Sequence, residues 1–134
     1  MKIHRGRMID HIHIRVSDLA AAQRFYGALL DRISIPFEAD GTHLEADELW
    51  IDHGERPSRI HLAFQAADRE GVAQGYEAGL AAGGRDNGPP GERPYHPGYY
   101  AAFLLDPDGN NIELVHHGAE RKSADSVAVE REKG

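Results

Sequence analysis

Residues 9–26 read IDHIHIRVSDLAAAQRFY and residues 59–76 read RIHLAFQAADREGVAQGY; sliding the chain by fifty places lays one on the other. His11, Asp18 and Tyr26 then fall on His61, Asp68 and Tyr76. In the first copy Ile12, Ile14 and Val16 alternate with His11, His13 and Arg15, so a strand over residues 9–16 has one aliphatic face and one that carries histidines. Ser17 and Asp18 supply a helix cap, and Leu19, Ala22, Tyr26, Leu29, Leu30 and Ile33 keep helical spacing as far as Ile33. Strand-like segments follow at residues 35–38, 42–45 and 48–53, broken by the Asp40-Gly41 turn and closed by Gly54. The order is β-α-β-β-β.

The second copy repeats it. Val72, Tyr76 and Leu80 keep helical spacing, Gly83-Gly84 end that helix, and residues 99–105 and 111–117 flank the turn Asp106-Pro107-Asp108-Gly109-Asn110. The expected fold is α+β, with two β-α-β-β-β modules at residues 8–54 and 59–118 forming one domain over 8–118. An extension at 1–7 precedes it and a charged tail at 119–134 follows. Residues 85–98, RDNGPPGERPYHPG, have glycines and prolines that predict a flexible, irregular loop, the natural lid. In the tail Val127 and Val129 are the only aliphatic residues larger than alanine, which predicts a mobile segment or a frayed helix.

At 134 residues a second independent core would be too small to bury enough surface, so one domain is expected. A formal charge of -7 gives no basic footprint for nucleic acid. No apolar run approaches the ~20 residues that cross a bilayer, and MKIHRGR has no signal-peptide stretch. With no cysteine there is no disulfide framework, thiolate zinc site or cysteine nucleophile, which suits the reducing cytoplasm, the expected location. A metal site must then be built from His, Asp and Glu, and the chain has nine histidines.

Three residues stand at corresponding or closing places: His11 opens the first module, His61 opens the second, and Glu113 lies in the last strand. Two imidazoles and a carboxylate that converge form a facial triad with positions left open for substrate. His13, two residues from His11 on one strand face, sees whatever His11 sees and is expected to contact substrate. Tyr99 shares a strand face with Phe103, and both are expected substrate contacts, as is His96 in the loop. Trp50 is expected in the core, and His4, His43, His53, His116 and His117 at the surface or an edge.

The strings His11-x-x-x-Arg15-Val16-Ser17-Asp18-Leu19 through Phe25-Tyr26, His61-Leu62-Ala63-Phe64, and Asp106-Pro107-Asp108-Gly109-Asn110-Asn111-Ile112-Glu113-Leu114 resemble the vicinal oxygen chelate superfamily. Its members include glyoxalase I, fosfomycin thiol transferases, extradiol dioxygenases and bleomycin resistance proteins, and the resemblance spans residues 8–118. It implies a cupped, glyoxalase-like mixed sheet around one divalent metal ion, with His11, His61 and Glu113 as ligands. It also implies a homodimer in which the first module of one chain meets the second module of the other; pairing of the two modules within one chain is the alternative. Four-ligand members take a further carboxylate from the last strand of the first module, and matching Gly54 to Gly118 sets Leu49 opposite Glu113, so no fourth acid is expected there, with Glu48 and Asp52 the nearby acids that another register would bring to it.

The implied function is a metal-dependent lyase or isomerase of glyoxalase type, or a dioxygenase, acting on a small molecule with adjacent oxygens. The alternative is a metal-free sequestering protein of bleomycin-resistance type. Glu113, His13 or hydroxide are the candidate bases, and His, His, Glu suits Fe, Mn, Ni and Zn alike.

Overall fold

A computed structural model describes residues 2–130. Its elements are β1 Ile3–Arg5, β2 Ile12–Val16, α1 Leu19–Arg32, β3 Glu38–Ala39, β4 Leu44–Ala46, β5 Leu49–His53, β6 His61–Gln65, α2 Arg69–Ala81, β7 Arg85–Glu92, β8 Tyr100–Leu105, β9 Asn111–His116 and β10 Val127–Val129. Two four-stranded sheets have matching orders, β2-β5-β4-β3 and β6-β9-β8-β7. In each, the first strand lies parallel to the last and the remaining pairs are antiparallel. The repeat extends to the helix caps: Asp18 accepts a hydrogen bond from the Ala21 amide, and Asp68 accepts one from the Gly71 amide.

One hydrophobic cluster runs through both modules. It takes Ile14, Val16, Leu44 and Ile51 from the first sheet and Leu104, Ile112 and Leu114 from the second. Phe25, Tyr26, Leu29, Leu30, Val72 and Tyr76 reach it from the helices. Helices α1 and α2 pack on each other, and glycines let them approach: a Cβ at Gly79 would stand 2.5 Å from Leu104 and 3.4 Å from Phe25, and one at Gly84 would stand 2.5 Å from Phe25. The turn between β8 and β9 ties the modules together. The buried Asp106 accepts the Tyr26 hydroxyl from α1, the Asn110 amide at 2.8 Å and the Asp108 amide at 3.0 Å. Asp108 accepts the Ser17 amide at 3.0 Å, and the Asn110 side chain accepts the Ile60 amide at 2.8 Å.

Four expectations about strands and their register need correction. Residues 85–92, read as the first part of a lid loop, form β7. Its prolines are tolerated because β7 is the sheet's edge strand, and the register shifts between Asp86 and Gly88 and between Gly88 and Gly91 absorb the irregularity. Only the stretch from Arg93 to Tyr99 remains a loop, its neck closed by Arg93 N donating to Tyr99 O at 2.9 Å. The tail is not a frayed helix, since β10 pairs with β1 and the His4 ring bonds Ser126 at 2.7 Å; two isolated valines suffice for a short two-stranded ribbon. Residues 131–134 of that tail lie outside the described residues. The first strand is shorter than read, with Ile12 N donating to Glu48 O at 2.6 Å as its first bond, so His11 stands just before β2.

The fourth correction is one of register. His13 pairs with Trp50 in the first sheet and Ala63 with Glu113 in the second, so under the fifty-residue repeat Trp50, not Leu49, occupies the place of Glu113. The second module has one more residue between its last strand and closing glycine, which defeats an alignment anchored on Gly54 and Gly118. No acid stands at that place on either register.

Candidate functional site

Each sheet buries one face under the helices and leaves the other open. On the second sheet the open face places Ala63, Glu113 and Phe103 side by side on β6, β9 and β8. Because β9 is an inner strand, Glu113 is only 3% exposed. A buried carboxylate must be matched by donors, and two are present. His61 Nε2 lies 2.8 Å from its Oε1, and the Tyr99 hydroxyl donates to its Oε2. Burial, and then the bond to Glu113, push the Tyr99 phenol up to about 12, so the hydroxyl keeps its proton at neutral pH. The Phe103 ring lies 6.1 Å from the His61 ring. His96 meets His117 at 2.9 Å and stands edge-on to the Tyr99 ring.

The open face of the first sheet holds a second group. His13 Nε2 lies 2.7 Å from Asp52 Oδ1, and Trp50 Nε1 donates to Asp52 Oδ2 at 3.2 Å. The His13 imidazole beside it is the main cause that holds the Asp52 carboxyl below its usual range. Trp50, expected in the core, is 37% exposed, because an alternating strand sends it to the open side, where it stacks on His43 at 4.0 Å. His43, its stacking partner, is half-buried. His11, at the end of this face, is bonded by its Nδ1 to Asp10 at 2.7 Å and is otherwise exposed.

The structure therefore brings His61, Glu113, Tyr99 and Phe103 together in one group and His11 and His13 in another. A cavity of about 310 Å³ touches His11, His13, Glu45 and Trp50 and includes no residue of the second module. Among the described residues no three His, Asp or Glu side chains of one chain converge as a metal cluster. The sequence puts Asp52 only near the place of a fourth ligand; the signal for its bond to His13 is its position two residues after Trp50, which sets it on the face that His13 shares.

The sequence profile described as Glyoxalase/Bleomycin resistance protein/Dioxygenase superfamily matches residues 8–114. The chain belongs to this superfamily. An uncharacterized protein of Bacillus subtilis (strain 168), YqjT, is 33% identical over 128 residues, covering 80% of this chain and 97% of that protein. The crystal structure of a glyoxalase/bleomycin resistance protein from Albidiferax ferrireducens T118 superposes with a TM-score of 0.72 at 32% identity, covering 82% of this chain and 99% of that one. A glyoxalase-related enzyme from Fulvimarina pelagi superposes with a TM-score of 0.69 at 21% identity, covering 92% and 97%, a likeness of fold. The glyoxalase-like fold is thus established for the chain, and no described helix is long and apolar enough to cross a membrane. Within this superfamily fold, the chain sets a tryptophan where its own repeat has a carboxylate.

Proposed function

We propose that this chain is a metal-dependent enzyme, a glyoxalase-type lyase or isomerase or a dioxygenase, acting on a small molecule that presents two adjacent oxygens. The observation that carries the reading is the buried Glu113 carboxylate with its Oε1 2.8 Å from His61 Nε2, on the open face of the module that repeats the one led by His11. A ring nitrogen and a carboxylate oxygen at that separation suit two neighbouring positions on one divalent ion, and a carboxylate sealed from water gains most from such a partner. His61 and Glu113 would hold the ion with His11 from a second chain. Fe, Mn, Ni and Zn all accept this donor set. When bound, the ion polarises the substrate's oxygens and steadies the negative charge that develops on them.

The chain's own residues supply the rest. Tyr99 donates to Glu113 and fixes which oxygen faces His61. Phe103 gives the wall an apolar surface. His13, whose Nε2 is held by Asp52, offers its Nδ1 as a proton acceptor, and Glu113 is the competing base.

The shared-site homodimer has two supports. The donors divide between the open faces of two modules, and β2 and β6 are both edge strands with no further strand on their outer side among the described residues, Ser58 alone bonding the outward Arg15 backbone of β2. A groove of about 810 Å³ flanks the β6 edge, lined by Met8, Ile9, Ile12, Leu62 and Phe64, and Met8 is 85% exposed. Residues 8–118 form the working unit on this reading, and the cysteine-free composition suits the cytoplasm.

A second reading, a metal-free protein that sequesters a small molecule, is favoured by the exposed Trp50 and its stacking partner His43, an aromatic platform on an open sheet face. Metal content separates the two. Protein made without a histidine tag or chelator should hold roughly one ion per site, and His61→Ala and Glu113→Ala should each lose it. An ion at one hundred times its dissociation constant adds ~2.7 kcal/mol to folding, so chelator should lower the melting temperature. A metal-free preparation whose melting temperature ignores both chelator and added metal overturns the enzyme reading and favours sequestration.

A further inference from the structure

Arg93 follows β7, the strand that departs from regular pairing twice, between Asp86 and Gly88 and across Gly88-Pro89-Pro90-Gly91. Its guanidinium lies 5.4 Å above the centre of the Phe103 ring, on the open face that carries Glu113. The bulged strand seats it. Nη2 donates to Pro89 O at 2.7 Å and Nη1 to Glu92 O at 3.3 Å. A Cβ at Gly88 would stand 3.3 Å from Nη2, and one at Gly91 would stand 3.1 Å from Nη1, so the two glycines leave the space the guanidinium fills. The acid next to it in the chain is already engaged, because Glu92 pairs with Arg69 of α2 at 2.7 Å. Among the described residues no carboxylate pairs with Arg93. Its remaining N–H donors have no protein partner among those residues, on a chain whose net charge is -7.

A cation positioned by two carbonyls, a ring face and two glycines, yet unneutralised, is arranged to receive a charge from outside. The Phe103 ring reaches from Arg93 to His61. A ligand lying along the edge of that ring meets the guanidinium fork at one end and the His61–Glu113 pair at the other. We propose that Arg93 is the anchor for an oxyanion group, carboxylate or phosphoryl, of the substrate, and hence that the substrate is an acid whose adjacent oxygens lie at its other end. The oxyanion anchor stands on the geometry of β7; only the placing of the adjacent oxygens rests on the metal reading above.

Two experiments separate these parts. Metal-free protein is titrated with inorganic phosphate, and the side-chain Nε–Hε signals of its arginines are followed by nuclear magnetic resonance. The Arg93 signal should move saturably, at lower phosphate than that of the exposed Arg24; a response no greater than that of Arg24 overturns the anchor. Manganese-loaded protein is then titrated by calorimetry with acetohydroxamate, succinate monohydroxamate and phosphonoacetohydroxamate, which share adjacent oxygens and differ in the acidic group. At least one acidic probe should bind tenfold or more tighter than acetohydroxamate, and which one does so separates carboxylate from phosphoryl. That ratio should fall to within twofold in Arg93→Gln, and should drop in Gly91→Ala, which keeps the charge but fills its seat. Equal affinities for the three probes in the wild-type protein overturn the proposal and leave the metal reading intact. Failure of all three to bind, with the phosphate response of Arg93 present, sinks the metal reading and leaves the anchor standing.

Discussion

Tyr26 and Asp106 meet across the two modules, and their bond shows what a single hydroxyl can hold in place. Asp106 is 1% exposed and takes the Tyr26 hydroxyl together with donors from Asp108 and Asn110. Burial first, and then the Asp106 charge, push the Tyr26 phenol well above its ordinary range, so it remains a donor at any working pH. Tyr26→Phe keeps the ring in the core beside Phe25, and removes only that donor from a buried carboxylate. A hydrogen bond to a charged group contributes about 1.5–3 kcal/mol, and the substitution should lower unfolding free energy by about that amount in urea titrations. A loss below ~0.5 kcal/mol would mean that Asp106 finds another partner. The same rule, that a buried carboxylate needs donors, sets Glu113, buried with two partners, apart from the half-buried Glu45 and Glu48. Sequence placed Glu113 on the last strand. It could not show that Tyr99 and His61 would both reach it, because those contacts depend on which strands are neighbours.

Helix α2 carries Gly71, Gly75 and Gly79 at four-residue intervals, an expensive choice in a helix unless something needs the space. On an exposed helix a glycine-to-alanine change gains ~1 kcal/mol. Here the added methyl at Gly79 would stand 2.5 Å from Leu104 Cδ1 and 3.4 Å from Phe25, and overpacking of that kind costs ~1–3 kcal/mol. Gly79→Ala should therefore lower the melting temperature despite its better helix propensity, and a rise would show that α1 and α2 can separate without penalty. At this scale the repeated module was legible. Asp18 and Asp68 cap, and Tyr26 and Tyr76 turn inward, at matching places because both helices solve the same packing problem. What misled was punctuation. Glycine and proline break inner strands but are at home on an edge, and nothing local distinguishes β7 from a loop until β8 is known to lie beside it. β10 was hidden for a similar reason, since its partner β1 lies at the other end of the chain. Trp50, expected in the core, is left on the open side because the alternation of β5 sends Leu49 and Ile51 inward.

On the proposed metal reading, the whole molecule must bring His11 to His61 and Glu113. Within one chain the modules are joined through α1, α2 and the Asp106 turn, and the cavity beside His11 touches no residue of the second module. In a shared-site dimer the first module of each chain would complete the second module of the other, and each of the two sites would need His11 from one protomer and Glu113 from its partner. The prediction is asymmetric and can be counted in metal. A dimer of His11→Ala alone has no intact site, and neither has one of Glu113→Ala alone. A heterodimer of the two brings both lesions together in one site and leaves the other complete, so heterodimers isolated through two different tags should bind metal at half the wild-type stoichiometry. Equal mixing with free exchange makes half of the dimers mixed, and the unfractionated sample should reach one quarter. If the sites were built within single chains, every chain in every mixture would carry one lesion. No mixing ratio would then restore any metal binding, and a flat titration from one variant to the other would rule out the shared site.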